Sequence, residues 1–247
     1  MAISRAQMMK ELVPGLNALF GLEYAQYAEE HTAIYETESS DRSFEEEVKL
    51  SGFGAAPVKA EGAGITYDTA QEHFTARFNH EVIAMGFSLT EEAVEDNLYD
   101  KIASRYTKAL ARAMAHTKQV KAMYPLNNGY GAFDAGDGVD LFSATLHLDI
   151  NGTAIPNALT TASDLNETSL EQACIDIAAF KDDRGLLIAA QPKRLICAPY
   201  NQFTATRVLE TDKRPGTADN DINALRTNGM IPEGYSINHY FTATNKK

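Results

Sequence analysis

The residue types best suited to chemistry are scattered along this chain. Its histidines include no pair at the i, i+4 spacing of a helical metal site: His31, His73, His80, His116, His147 and His239. No Gly-x-Ser-x-Gly elbow occurs, and neither does a phosphate-binding glycine loop that ends in lysine. The segment Asp134–Asp140 is faintly similar to a calcium loop, but it lacks the alternating ligands and the closing glutamate, so a plain turn is favoured. We therefore expect no catalytic residue, no metal and no cofactor.

Composition narrows the possible functions further. The chain has 247 residues and a net charge of −12, without any basic run, so a tight grip on nucleic acid is not expected. The acidic segment from Glu36 to Glu47 predicts a solvated or interface-facing stretch. Cys174 and Cys197 each lie in an apolar stretch, which favours buried, reduced thiols over a disulfide or a metal pair. No apolar run approaches the roughly 20 residues of a membrane span, and the start carries no secretion pattern.

The sequence of residues 1 to about 32 predicts an arm. Two amphipathic pieces, 5–12 and 16–28, flank Pro14-Gly15, which indicates a helix stop. The second piece has an apolar stripe: Leu16, Leu19, Phe20, Tyr24 and Tyr27. This stripe packs either on the chain's own core or on a neighbouring molecule, and both alternatives stay open.

A long two-stranded excursion is predicted next. Val48 and Leu50 begin one alternation, and a second runs from Phe74 to Val82. Between them, residues 51–64 are rich in glycine and too poor in apolar side chains to fold on themselves. Because a two-stranded ribbon alone is marginally stable in water, something outside the chain is expected to hold it.

One very long helix follows the excursion. Ser88 and Glu91 form a capping-box pattern that predicts its start. Apolar residues then recur mostly three or four apart until Pro125 and predict a buried stripe: Val94, Leu98, Ile102, Tyr106, Ala109, Leu110, Ala113, Met114, Thr117 and Val120. Acidic residues crowd its beginning and basic residues the rest, in agreement with the helix dipole. At 1.5 Å per residue this helix is about 50 Å long.

The remaining chain has a mixed α/β pattern. Residues 127–138 predict a turn-rich link and a domain seam. A capping box at Thr168–Glu171 predicts a helix that ends near Gly185, followed by the apolar run 186–190. Further predictions are a strand at 195–198, a helix opened by Pro199 that ends at Glu210, and an extended piece at 235–242.

This order of elements resembles the HK97-type capsid fold of tailed-phage major head proteins. Several strings are similar to the family of Mu-like major head subunits: Ser40–Glu47, Leu50–Pro57, Thr90–Asp100, Arg105–Arg112 and Gly216–Asn223. The resemblance covers essentially the whole chain. It implies an α+β fold with an N-terminal arm at 1–40, an extended hairpin (E-loop) at 41–82, and a peripheral domain with the spine helix at 83–138. It also implies an axial domain at 139–235 and a return strand at 236–247.

The resemblance implies a structural protein, not an enzyme. It would assemble in the host's bacterial cytoplasm into pentamers and hexamers of an icosahedral head, and would enclose double-stranded DNA without specific binding. Portal, scaffold and decoration proteins are implied partners, and no membrane is. The implied contacts between subunits are Leu16, Leu19, Phe20, Tyr24 and Tyr27 in the arm, and Gly52, Phe53, Gly54, Pro57, Lys59, Gly62 and Gly64 in the E-loop.

Two features depart from the family pattern, and two other functions compete with it. Family members usually continue beyond the equivalent of Tyr240-Phe241 into further strands, whereas this sequence stops at Lys247. Some shells of this fold crosslink an E-loop lysine, but ordinary solvated lysines are favoured here at Lys49 and Lys59. An encapsulin-like compartment shell has the same fold and is the main alternative. A hydrolase that uses acidic residues is a remote one.

Overall fold

A computed structural model describes residues 5–90, 92, 99–214 and 221–242. The chain divides into two compact units. The first consists of Met1–Glu38 and His80–Met123, and the second of Ser39–Asn79 and Tyr124–Lys247. Helices and short strands are mixed, so the predicted α+β class is confirmed. None of the described helices combines the length and the apolar content that a membrane span requires.

The arm begins with one continuous helix, α1, at Arg5–Tyr24. The helix passes through Pro14, so the predicted stop at Pro14-Gly15 is wrong. Proline removes one backbone hydrogen bond, and at this exposed position water can satisfy the carbonyl that is freed. A short 3₁₀ turn follows at Glu30–Ala33.

The long helix, α2, covers Tyr99–Asn128 in 30 residues. The predicted end at Pro125 is wrong, because tertiary hydrogen bonds hold the last turn beyond it. Asn127 donates from Nδ2 to the carbonyl of Tyr240 at 2.9 Å, and its Oδ1 accepts from the amide of Thr242 at 2.8 Å. Asn128 donates from Nδ2 to the carbonyl of Tyr124 at 3.0 Å.

The buried stripe of α2 differs from the predicted one. Ala103, Thr107 and Ala111 lie one turn apart and are buried, and Met123 is fully buried. By contrast, the large residues of the predicted stripe, Ile102, Tyr106 and Val120, are exposed. Leu110, Met114 and Thr117 of the predicted stripe are half-buried, so periodicity identified the buried face only in part.

The second unit begins with an antiparallel hairpin of two strands, β1 at Phe44–Ser51 and β2 at Gln71–Asn79. Phe44 pairs with Asn79 and Ser51 with Gln71, and the register shifts between Val48 and Leu50. The predicted excursion is confirmed, but its second strand lies earlier in the chain than 74–82. Residues 52–70 between the strands form no strand.

The rest of the second unit is assembled from short elements. These are α3 (Glu167–Ala178), β3 (Leu195–Cys197), a 3₁₀ turn (Pro199–Asn201), α4 (Gln202–Glu210), α5 (Ala224–Thr227) and β4 (Tyr235–Ile237). Strands β3 and β4 are parallel neighbours. The prediction that Pro199 opens a helix is confirmed, since it stands at the start of the 3₁₀ turn that leads into α4.

Two predictions around α3 are wrong. Its capping box is formed by Asn166 and Ser169 rather than at Thr168–Glu171, because Asn166 accepts from the amide of Ser169 at 2.8 Å and Ser169 Oγ accepts in return at 3.0 Å. The helix ends at Ala178 rather than near Gly185. Gly185 instead has φ +82° in a tight turn, and the apolar run 186–190 forms only a single bridge, between Lys181 and Leu187.

The core of this unit is small. Leu170, Cys174, Val208 and Leu225 are buried together, so α3, α4 and α5 share one apolar cluster. Asn223 is fully buried beside it and donates from Nδ2 to the carbonyls of Val208, at 2.6 Å, and Thr211, at 3.0 Å. Its Oδ1 accepts from the amide of Leu225 at 3.1 Å, which caps α5. Asn223 therefore joins the end of α4 to the start of α5.

Replacing Asn223 by alanine should destabilise this unit. The substitution leaves buried backbone carbonyls without donors, which costs about 1–3 kcal/mol. The free energy of unfolding in urea measures the effect. Asn201→Ala is a matched control, because Asn201 also precedes a helix but makes no capping bond. Equal losses in the two variants would contradict this role for Asn223.

Candidate interaction surfaces

Apolar side chains are strongly exposed at the tip of the hairpin, residues 57–65, and also beside Asp68 nearer its base. At the tip Val58 is 100% exposed and Ile65 71%, and beside Asp68 the side chain of Tyr67 is 90% exposed. The predicted contact residues Gly52, Phe53, Pro57, Lys59, Gly62 and Gly64 are exposed as well, whereas Gly54 is half-buried. Gly62 has φ +77° at a turn, a conformation that favours glycine. An exposed apolar surface of this kind is typical of a site where another molecule binds.

One face of the hairpin packs on its own unit. A side chain at Gly136 would lie 2.8 Å from both Phe74 and Ala76 of β2, so only glycine permits this close approach. On β1, Phe44, Val48 and Leu50 are exposed. The guanidinium of Arg77 covers the ring of Phe44 at 4.2 Å and pairs with Glu46 at 2.7 Å. One face of the ribbon is thus anchored, and part of the rest is open to solvent.

The root of the loop is held by Asp68. Its Oδ2 accepts from the amide of Gly54 at 2.8 Å, and its Oδ1 accepts from the amide of Thr69 at 2.9 Å. Arg184 contacts both oxygens from Nη2, at 2.9 and 2.8 Å. The hydrogen bond from Gly54, then those from Thr69 and Arg184, hold the pKa of Asp68 below its ordinary value. The two ends of the loop therefore meet at one charged carboxylate.

Residues 23–31 of the arm pack on α2. Gln119 is buried, accepts from the amide of His31 at 3.2 Å and donates to the carbonyl of Ala28 at 3.3 Å. Lys118 pairs with Glu29 and Lys108 with Glu23, both at 2.5 Å. For this part of the arm, packing on the chain's own helix is the alternative that the structure supports.

The predicted arm contacts have mixed exposure. Leu16, Leu19, Phe20 and Tyr24 are half-buried, and Tyr27 is exposed. The rings of Phe20 and Tyr24 stack with their centroids 5.8 Å apart. Whether any of these residues contacts a neighbouring subunit stays a prediction. The capping of the long helix by Ser88 and Glu91 also stays a prediction. Ser88 is exposed, and Glu91 lies outside the described residues.

The side chains that could bind a metal or react with a substrate have structural roles instead. Within the described ranges, no three histidine, cysteine or acidic side chains cluster as a metal site would need. In the turn similar to a calcium loop, Asp137 Oδ2 contacts His147 Nδ1 at 2.6 Å and Oδ1 accepts from the amide of Val139 at 3.2 Å. Burial acts to raise the pKa of Asp137, but these hydrogen bonds outweigh it and the pKa is lowered.

Both cysteines are buried as predicted. Cys174 and Cys197 are free thiols. Burial raises the pKa of each thiol, so both are poor nucleophiles at neutral pH.

Sequence reasoning missed the residues that hold the surfaces in place. Gln119 interrupts an apolar pattern, which was the only local sign that it is buried. Asp68 and Arg184 are separated by 116 positions. Each stands in a polar stretch where a charged residue is ordinary, so no local pattern could have linked them.

Comparison with known proteins gives a consistent result. A family model described as "Phage capsid protein" matches residues 78–245, which is more than half of the chain. No protein with a curated description matches.

Among solved structures, the chain is similar to a procapsid protein of bacteriophage JBD30, with 14% identity and a TM-score of 0.59 over 96% of this chain and 100% of that one. A chain of the JBD30 capsid has 12% identity and a TM-score of 0.56, over 82% of this chain and 88% of that one. A chain of the JBD30 capsid decorated with minor capsid protein trimers has 11% identity and a TM-score of 0.60, over 88% and 92%. At such identities the likeness concerns the fold alone.

Docking of the arm should weaken in acid. The hydrogen bond from Lys118 lowers the pKa of Glu29 below its ordinary value of 4.5, so the pair stabilises docking above that pH. This stabilisation is lost as the pH falls through the lowered pKa. Hydrogen exchange at the amide of His31 should therefore accelerate on acidification, once corrected for the intrinsic rate.

Lys118→Met provides the comparison. Without the cation, the pKa of Glu29 returns towards its ordinary value and the acid-dependent part of the acceleration should shrink. Lys121→Met is the control, because Lys121 pairs with Glu81 rather than with the arm. The same acid response in wild type and Lys118→Met would rule out this pair as its source.

Proposed function

Because the chain belongs to the phage capsid protein family, we propose that its hairpin joins neighbouring copies of the subunit within the head shell. The protein is a structural component of the phage capsid and not an enzyme. It is part of the virion, and its function is to form the shell together with further copies of itself.

The exposed hairpin tip is the observation that carries this proposal. Val58 and Ile65 at the tip are 100% and 71% exposed, while the root of the loop is fixed at Asp68. Covering one such side chain contributes about 1.5–3 kcal/mol. A shell repeats the contact in every subunit, and head-to-tail contacts of this kind close into rings.

The finer assignment follows the HK97-type fold and its Mu-like relatives. In this proposal residues 1–40 are the arm, 41–82 the E-loop, 83–138 the peripheral domain with its spine helix, 139–235 the axial domain and 236–247 the return strand. Rings of five and six subunits form the shell. The two compact units divide the chain at other points, with residues 1–38 and 80–123 in one unit and residues 39–79 and 124–247 in the other.

The contents of the shell are proposed to be double-stranded DNA. Phosphate binding needs clustered lysine and arginine, and a chain with net charge −12 lets packed DNA slide without adhering. Assembly would take place in the cytoplasm of the bacterial host, with a portal and possible scaffold proteins as partners. The described relative that is decorated with minor capsid protein trimers supports decoration proteins as further partners.

Electron microscopy of the purified protein tests the proposal. Closed shells of uniform size that contain DNA, when isolated from infected or induced cells, are the expected result. Shells that contain packaged enzymes would favour an encapsulin-like compartment instead. A protein that stays monomeric at high concentration would overturn the proposal.

A charge at the hairpin tip should block assembly without unfolding the subunit. Val58→Asp places a carboxylate where an apolar contact of about 2 kcal/mol is expected, so the concentration needed for assembly should rise about 30-fold. Light scattering across a concentration series measures this. Thr161→Asp adds the same charge at another exposed position and should have little effect.

Removal of the tip gives a stronger test. Replacing Gly52–Gly64 by two glycines should leave a soluble, folded subunit. Its melting temperature should be unchanged, because the apolar cluster around Leu170 stays intact, but it should form no stable shells. Normal shells from this variant would show that the loop does not join subunits.

A further inference from the structure

We propose that the turn at residues 182–185 is a clasp that sets the angle of the hairpin within the free subunit, before any neighbour is met. The clasp consists of two adjacent side chains, Asp183 and Arg184, which contact the hairpin on three of its segments. The consequence for assembly rests on the function proposed above, whereas the clasp itself is a property of the single chain.

Asp183 contacts a lysine on one strand of the hairpin and lies near a histidine on the other. Its carboxylate is 6% exposed and lies 2.7 Å from Nζ of Lys49 on β1. Nδ1 of His73 on β2 lies 3.8 Å from its other oxygen. A buried carboxylate strongly requires a nearby cation, because an unpaired charge is costly to remove from water. The ion pair with Lys49 therefore constrains β1, and β2 follows through its pairing with β1.

Arg184 holds the loop that returns from the tip. Its side chain is 19% exposed and contacts both oxygens of Asp68. Asp68 also accepts from the amide of Gly54, on the outgoing side of the loop. Arg184 thereby reaches both ends of the loop through a single carboxylate.

The turn that presents these two side chains is itself rigid. Asp182 Oδ1 accepts from the amides of Arg184, at 2.9 Å, and Leu186, at 2.7 Å. The amide of Gly185 donates to the carbonyl of Asp182 at 3.0 Å, and Gly185 has φ +82°. Because the backbone fixes the turn, the two side chains start from a defined position rather than from a mobile loop.

Exposed ion pairs usually contribute little to stability, and many surface pairs in this chain are of that kind. The clasp differs in two respects. Its Asp183 is buried, and its contacts converge on the root of an element that has no core of its own. A small change in angle at the root becomes a large displacement at the tip, so Asp183 and Arg184 act as positioning residues. Holding the tip in place beforehand lowers the ordering cost when subunits join.

Distance measurements between spin labels test the clasp directly. Val58→Cys labels the tip and Thr161→Cys a distant exposed loop of the same unit, while the native thiols are buried and react slowly. The distance distribution between the labels should be narrow in the otherwise unmodified subunit. Arg184→Gln and Asp68→Asn should each make it about twofold broader, because each breaks the ion pair that ties the base of the loop to the turn.

Two further variants separate positioning from general stability. Lys49→Met should broaden the distribution as well, whereas Lys193→Met, which removes a lysine–carboxylate pair with Glu233 elsewhere in the unit, should not. The exchanged pair Asp68→Arg with Arg184→Asp should recover part of the narrow distribution. Circular dichroism and melting temperature check that each variant is folded.

Assembly of the same variants without labels distinguishes the two proposals. A broadened distribution together with an about tenfold higher assembly concentration supports both the clasp and the joining role of the hairpin. A broadened distribution with normal assembly supports the clasp and overturns the joining role. A distribution that stays narrow in Arg184→Gln, Asp68→Asn and Lys49→Met overturns the clasp.

Discussion

The structure depends on one constraint, which is that a two-stranded hairpin cannot bury its own side chains. Strands β1 and β2 pair along their length, yet Leu50 and Phe78 remain more than half exposed at 70% and 54%, and the loop beyond them is open. In water such a ribbon is marginally stable. Packing of Phe74 and Ala76 against Gly136 supports one face, and the loop root is tied at Asp68. What is left uncovered is the apolar tip, which we propose that a neighbouring subunit covers.

The sequence predicted elements well where one local pattern determined them. The hairpin followed from period-two alternation around a glycine-rich stretch, and the short strand at Leu195–Cys197 and the helix after Pro199 followed from equally local rules. The two proline predictions failed for a common reason. Proline removes a single hydrogen bond, and tertiary bonds such as those of Asn127, or exposure to water as at Pro14, compensate for it.

The interaction surfaces were less predictable, because they depend on contacts between distant segments. An apolar pattern on the long helix indicated Ile102, Tyr106 and Val120 as core, yet small residues such as Ala103 and Ala111 face the interior. The arm was predicted to pack either on itself or on a neighbour. Bonds from Gln119 to residues 28 and 31 assign its last part to the chain's own helix. Neither result could be derived from spacing, since both depend on which segment happens to lie opposite.

Two kinds of interaction in this chain have different roles: apolar contacts contribute affinity, and polar contacts fix the orientation of the hairpin. Apolar burial is strong but has no preferred direction, so exposed side chains such as Val58 and Ile65 can supply affinity without determining an angle. Ion pairs and hydrogen bonds contribute less net free energy but depend steeply on geometry. In this subunit the polar contacts of Asp68, Asp183 and Arg184 gather at the hairpin root, and the apolar side chains at its tip. A shell needs both, because contacts that are strong but unoriented lead to aggregates, and contacts that are oriented but weak do not hold.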